Sequence, residues 1–425
     1  MQIVIIARMF AKLFPQSDIP EKYRPNFYHL YLDIAWFGVL SGSAINFLNV
    51  YAARLGATGL QIGLLAAMSG VVNLFLAIPA GRWIERRHTG RAVFWSSILF
   101  RLGYALWIPL PWFFNEQGQI WALIILTFLM AIPLTPLGVG FNALFAEAVP
   151  NEYRAHVAGY RNVTFAIAFM FTSLVSGYVL KDISFPLGYQ IIFLIGAIGA
   201  GMSSYHIYHI KPLEVDSQAA PRALQVAAPK QSDSPRGLIS HLRLDIWSTP
   251  FKNVLLVLFG YHLTQYLAAP LFSIYYVRGM HLTDDAIGLG TALFYFTVLI
   301  ASTQLRRVVH YFGHKTSTGI GVAGMAFYPL AIALSHNAWH FYLTCFIGGF
   351  IFSVSNGSYA NYLLERIPAN DRPSHLAWYN IILNMAILIG SLAGPFIADQ
   401  IGFVAALLVF ASFRFLAGLI VLKWG

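Results

Sequence analysis

The sequence predicts an all-α membrane protein of twelve transmembrane helices, arranged as two pseudo-symmetric six-helix bundles. Composition is the first observation behind this. The 425-residue chain is 58% hydrophobic and only 10% charged, whereas ordinary soluble domains carry about 25% charged residues. Its mean hydropathy is +0.63. The second observation is that the chain repeats itself. Glu147, Pro150, Arg154, Asn162, Ala168, Ser173 and Leu174 recur 218 residues later as Glu365, Pro368, Arg372, Asn380, Ala386, Ser391 and Leu392. A gap-free shift close to half the chain length makes each half one structural unit. Paired halves in a membrane are the usual architecture of a secondary transporter, whose site lies between the repeats near the bilayer midplane.

The spans themselves follow from length. Crossing roughly 30 Å of hydrocarbon takes about 20 residues of helix. Apolar stretches of that length fall at 30–51, 60–80, 92–113, 119–146, 158–180 and 185–207 in the first half. In the second they fall at 251–277, 285–305, 316–335, 340–364, 376–398 and 401–422. Such runs lack the in/out alternation of a lipid-facing barrel strand. The implied organisation is an N-terminal segment over 1–29, a bundle over 30–207, a linker over 208–250 and a second bundle over 251–425. Residues 1–15 read as an amphipathic surface segment, and Ile3–Ile6 is too short an apolar run for a signal peptide. Residues 211–237, rich in Pro, Ala, Ser and Gln, read as a flexible linker. Leu238, Leu242, Ile246 and Trp247 then recur at helical spacing and predict a short helix on the membrane surface.

Orientation comes from the basic residues, because basic loops stay cytoplasmic. Of 27 Lys and Arg, only Arg54, Lys181 and Arg278 fall on the side away from the termini, and Arg101 and Arg414 lie within spans. The remaining 22 share the side of the termini. Both termini are therefore expected in the cytoplasm, as in a multi-pass protein of a bacterial inner membrane. The net charge of +10 is then a topology signal, and no nucleic-acid partner is expected. The single Cys345 excludes a disulfide framework and a Cys-based metal site. No cofactor or metal is expected, and the chain reads as a monomer.

The loop after the second span runs Gly81-Arg-Trp-Ile-Glu85-Arg86-Arg87-His88-Thr-Gly90-Arg91. Gly lets two helices approach closely, while an acid and an adjacent Arg form a charge-assisted latch that one conformation makes and another breaks. A second copy at Arg306-Arg307-Val-Val-His310-Tyr-Phe-Gly313-His314-Lys315 keeps the Gly and Lys but has His310 for the acid. This loop resembles the cytoplasmic signature of the major facilitator superfamily, and with the twelve spans, the repeat and the mid-chain linker the resemblance covers essentially the whole chain. Two departures stand out: Glu85 replaces the usual Asp, and Gly90 comes two residues late, with His88 in its place. A plain basic loop that satisfies the positive-inside rule is the competing account of these residues.

In that superfamily the first, fourth, seventh and tenth spans line a central cavity. The resemblance therefore points to Asn46 on span one, Asn142 on span four, Tyr261, His262, Gln265 and Tyr266 on span seven, and Asn356 and Asn361 on span ten as substrate-binding candidates. Span four, with Pro133, Pro136, Gly138 and Gly140, has the loosened backbone that the membrane tolerates where a helix faces a cavity or a neighbour. The 218-residue shift maps Gly138 onto Asn356. For any one of these residues, simple helix–helix adhesion is the competing role.

Intramembrane ionisable groups are costly and so are functional candidates by default. Asp33 and His262 are the proton-coupling candidates, with an interfacial ion pair and a hydrogen-bonded core His as their respective structural alternatives. Arg101 is expected near mid-depth with a partner, Asp33 among the choices. Arg414, nine residues from Lys423, is expected to snorkel or pair, and the outer position of these helices in the superfamily implies a structural role for both arginines. Glu147 with Arg154, and Glu365 with Arg372, occupy equivalent ends and join Gly81, Glu85, Arg86, Gly90 and Arg91 as candidate latch residues.

Two signatures of proton-coupled drug exporters are missing. No Arg stands between 119 and 146, and span five reads Ser173-Leu-Val-Ser176-Gly177-Tyr178, although span eleven does read Gly390-Ser-Leu-Ala-Gly394-Pro395. His310/His314 and His336/His340 are spaced i, i+4 without an acidic ligand or base, and no hydrolase or nucleotide-binding motif is present. An enzyme is therefore not expected. The expected function is proton-coupled transport of a small organic solute by alternating access. A lipid or lysolipid translocase on the same fold is the first alternative, and a membrane scaffold or intramembrane enzyme the second.

Overall fold

In the computed structural model, residues 20–213, 243–368 and 371–425 are described. Twelve helical passes carry the fold: α1 (Glu21–Arg54), α2 (Gly59–Glu85), α3 (Thr89–Trp107), α4 (Glu116–Ala148), α5 (Asn151–Asp182), α6 (Leu187–Tyr208), α7 (Phe251–Gly279), α8 (284–312), α9 (314–333), α10 (Ala338–Arg366), α11 (Arg372–Ile401) and α12 (Phe403–Trp424). Among the described residues ten stretches are long and apolar enough to cross a membrane. One of them, Asp284–Ala333, is 50 residues long and folds back at Gly313, whose φ of 76° and ψ of 165° break the helix into α8 and α9. An L side chain is strained at that φ, so glycine makes the turn. The twelfth pass, α3, falls short of the apolar criterion because it carries Arg91 and Arg101.

Small residues set the packing within each bundle, as expected where lipid supplies no hydrophobic drive between helices. In the first half α1 lies between α5 and α6, and a Cβ on Gly42 would stand 2.4 Å from the Phe169 carbonyl oxygen. At that point α1 relaxes into a π turn over Ser41–Ile45, a distortion that favours functional segments. In the second half α7 crosses α11, where a Cβ on Gly394 would stand 2.0 Å from the Leu267 carbonyl oxygen. The face holding Pro20, Lys211, Arg243 and Gly425 is the terminal face, and the opposite one is the far face.

Residues 1–19 and 214–242 lie outside the described residues, and with them the amphipathic N-terminal segment, most of the linker, and Leu238 and Leu242. The part of the surface helix that is described, Leu244–Ser248, is a single 3₁₀ turn. Its Ile246 is buried at 1% exposure and packs with Phe251 and Leu255, while Leu244 is exposed. Arg243 holds the turn down through Asp371 at 3.0 Å, and its hydrogen bonds keep the Asp245 carboxyl below the usual carboxylate range.

The α7–α11 crossing gives a direct test. Gly394→Ala should lower the melting temperature of the purified protein markedly, since overpacking of this kind costs about 1–3 kcal/mol. Gly260→Ala, on α7 with open space around it, should leave melting unchanged.

Candidate functional site

The two bundles meet on the far face through a symmetric pair of close crossings. A Cβ on Gly288 of α8 would stand 2.7 Å from the Ser173 carbonyl of α5, and one on Gly63 of α2 would stand 2.2 Å from the Ser391 carbonyl of α11. Ser173 and Ser391 are repeat equivalents, and both are fully buried. Ser173 Oγ also donates to the Gly288 carbonyl at 3.1 Å, and Asn46 Nδ2 donates to Ser173 Oγ at 3.2 Å. Asn46, expected to bind substrate, thus ties α1 to the interface.

Above these crossings three cations clamp the halves together. Arg54 pairs with Asp284 at 2.9 Å and donates to the Leu282 carbonyl at 2.6 Å. Arg278 donates to the carbonyls of Ala57 at 2.7 Å and Ala53 at 3.1 Å, and Lys181 lies 3.6 Å from Asp285. Each contact joins one half to the other. These are the three basic residues that the sequence leaves alone on this side, and their isolation is the signal that reading missed.

Towards the terminal face the halves part. Gly70 on α2 still touches Asn384 and Ile387 of α11, while Gly81 has nothing within 4 Å. On the other side the rings of Phe169 and Tyr295 pack at a tilt, their centres 4.1 Å apart. Beyond them α5 and α8 enclose, with α10, a cavity of about 840 Å³ whose wall includes His156, Tyr160, Asn162, Tyr295, Ser353 and Asn356. Of the eight substrate-binding candidates only Asn356 lines it. Asn142 and Asn361 are exposed. Tyr266 packs on Gly390 of α11, His262 exchanges a 3.0 Å hydrogen bond with the Tyr379 hydroxyl, and Tyr261 is buried beneath Arg414, 4.7 Å from its ring centre. Gln265 faces a second, smaller cavity inside the C-terminal bundle. The polar positions His156, Tyr160 and Asn162 on α5 supply the wall that the sequence reading did not weigh.

The latch residues do not converge here. Glu85, Arg86 and Arg91 are exposed and make no ion pair among the described residues. Glu147 and Glu365 do not pair with Arg154 and Arg372 either. Glu147 accepts from Thr89 Oγ1 at 3.0 Å, and Glu365 lies 3.6 Å from His314, so each acid ending a fourth helix contacts the start of the third helix in its own bundle. Arg154 caps α4, donating to the Ala146 and Val149 carbonyls. His314 is drawn to Glu365 rather than to His310. Among the described residues no three His, Cys, Asp or Glu side chains are placed to hold a metal ion.

Asp33 is the polar centre of the N-terminal bundle. Its Oδ2 lies 3.1 Å from Arg161 of α5, and its Oδ1 accepts from Ser203 of α6 at 2.5 Å and lies 3.8 Å from Arg101 of α3. Arg101 also donates to Ser97 and Ser204. One carboxylate therefore offsets two guanidiniums at 3% exposure and joins four helices. Arg414 on α12 neither snorkels nor pairs with a carboxylate; it donates to the Tyr261 carbonyl at 2.6 Å.

The model for the Major Facilitator Superfamily matches residues 34–261 and 254–425, one match to each half. The cis,cis-muconate transport protein of Acinetobacter baylyi is 24% identical over 296 residues, which span 66% of this chain and 65% of that protein, just under two thirds of the relative. Among solved structures, a D-xylose-proton symporter superposes with a TM-score of 0.70 at 17% identity, over 94% of this chain and 97% of that one. The nucleoside transporter NupG, as its D323A mutant, gives 0.68 at 14% identity over 94% and 99%. These likenesses show the fold.

Removing the carboxylate from the Asp33 cluster should be expensive, because it strands two buried cations. Asp33→Asn is expected to cost about 3–5 kcal/mol, read as a large drop in melting temperature. Adding Arg101→Met restores the original net charge of the cluster and should recover much of the loss.

Proposed function

The chain belongs to the major facilitator superfamily, and from that premise we propose that it is a secondary transporter carrying a small organic solute across the membrane by alternating access. The observation that carries this reading is the geometry of the two halves: clamped and closely crossed on the far face, parted around a cavity on the terminal face. Among the described residues the basic side chains outside the bundle interiors concentrate on the terminal face, with Arg54, Lys181 and Arg278 alone on the far one, so the terminal face is assigned to the cytoplasm and the conformation is inward-open. Return to the outward state requires the Arg54, Arg278 and Lys181 contacts to break while α2 and α11, and α5 and α8, close below. The exposed Glu85 and Arg86 stand ready to form the latch in that other state.

The cavity of about 840 Å³ against α5, α8 and α10 gives the solute its path to the terminal face. Tyr160 and Asn162 of that wall flank Arg161 in the chain, so a shift of α5 on solute binding is transmitted to the Arg161–Asp33 pair. Asp33 is the proton-coupling group on this reading. His262, tied to Tyr379, holds α7 on α11. The muconate transport protein among the relatives makes organic acids the first solutes to test. Proteoliposomes under an imposed pH gradient should show proton movement when the right solute is added. A solute that is carried with no proton movement would remove the coupling role of Asp33.

The clamp predicts a conformational bias. In a Cys345→Ser background, spin labels at Ser184 and His336 report the opening of the far face. The double variant Arg54→Ala/Arg278→Ala should lengthen their distance distribution relative to the parent. An unchanged distribution would show that the clamp does not hold the state.

A further inference from the structure

Among the described residues three arginines are buried, and only two of them have a counter-charge. Arg101 and Arg161 share Asp33. Arg414 has no carboxylate within 4 Å among the described residues. Its Nη1 donates to the Tyr261 carbonyl at 2.6 Å and reaches Thr264 Oγ1 at 3.4 Å, and the phenols of Tyr261 and Tyr266 and the imidazole of His262 are also electrostatic neighbours. The side chain has been placed inward: Phe413 and Phe415 on either side are about half exposed, at 46% and 50%, while Arg414 is 4% exposed. A guanidinium buried without a counter-charge costs several kcal/mol.

Arg414 lines a cavity. Inside the C-terminal bundle, α7, α8, α9, α10 and α12 surround a space of about 240 Å³, walled by Ala268, Ala269, Phe272, Phe294, Tyr328 and Phe352 together with Gln265 and Arg414. A cavity of about 150 Å³ admits benzene, so this one has room for a six-membered ring bearing a carboxylate. Phe352 is also in the wall of the larger cavity between α5, α8 and α10, which makes the two spaces neighbours.

We infer that this pocket binds a small, largely apolar monocarboxylate, its charge on the Arg414 guanidinium and its body among the aromatic rings, and that this is the class of solute carried. A carboxylate supplies the missing counter-charge and suits the planar fork of a guanidinium. The rings supply dispersion and exclude water, which strengthens that pairing. A second carboxylate would find no second cation in that wall, so dicarboxylates, the muconate of the relative included, are disfavoured in this pocket. The assignment of the bound acid as cargo rests on the transporter reading; the pocket itself does not.

Benzoate binding to the purified, detergent-solubilised protein tests it, read by calorimetry and thermal stabilisation, with benzamide and terephthalate as the neutral and doubly charged counterparts. Benzoate should bind saturably and at least tenfold more tightly than either. Arg414→Gln should weaken benzoate at least tenfold while leaving the ligand-free melting temperature unchanged or higher. Ala269→Phe, which fills the pocket without touching the charge, should weaken it as well. Equal benzoate affinity in wild type and Arg414→Gln, or equal affinity for benzoate and benzamide, overturns the proposal, as does a wild type that binds neither benzoate nor hexanoate. Benzoate uptake into proteoliposomes then separates the two claims: binding through Arg414 without uptake keeps the pocket and removes the cargo assignment, whereas uptake unaffected by Arg414→Gln keeps the transporter and removes the pocket.

Discussion

The closure of the far face depends on two backbone crossings. Where a serine carbonyl of one half meets a glycine of the other, at Ser173 with Gly288 and at Ser391 with Gly63, there is no room for a side chain, and the helices touch backbone to backbone. Such crossings pack by contact rather than by hydrophobic drive, so they are short-range and separable. Repetition of the same crossing on both sides of the molecule places them like the two bearings of a hinge. Above them the clamp closes, and below them the helices diverge around the cavity.

Electrostatics divides the labour between the halves. In the N-terminal bundle Asp33 draws α1, α3, α5 and α6 onto one buried carboxylate, which makes that half a body able to move as a unit. The C-terminal bundle spends its buried charge differently. Its centre holds an uncompensated Arg414 and a cavity, with His262, Tyr379 and Tyr261 around the same site. A stable half against a half with an unsatisfied site is an asymmetry that the 218-residue repeat conceals, because the position equivalent to Arg414 under that shift is Gly196.

How much of this was legible in the sequence depends on what each signal reports. The repeat marked Ser173 and Ser391 as equivalent, yet equivalence does not say which surface a residue presents, and their place at the interface became visible only with their neighbours. Helix azimuth was the main loss. A helix with lipid on one side and protein on the other is apolar all round, so no amphipathic stripe reveals its inner face; Gln265 and Tyr266 therefore point away from the cavity that Asn356 lines. The lone basic residues Arg54, Lys181 and Arg278 were read as exceptions to a topology rule, although a cation kept against that rule is a candidate for a specific contact. The expectation that Asp33 and Arg101 are partners follows from cost alone, and the structure adds Arg161 and Ser203. Of the predicted surface helix only Leu244–Ser248 is described, and there Ile246 is held by bundle side chains.

The central claim is a cavity between the halves that opens to the terminal, cytoplasmic side while the far side is shut. Alkylation of Asn356→Cys in a Cys345→Ser background, using a membrane-impermeant thiol reagent on oriented vesicles, tests it most directly. The account predicts rapid labelling in inside-out vesicles and little in right-side-out ones. Labelling from the far side alone, or at equal rates from both, would contradict it.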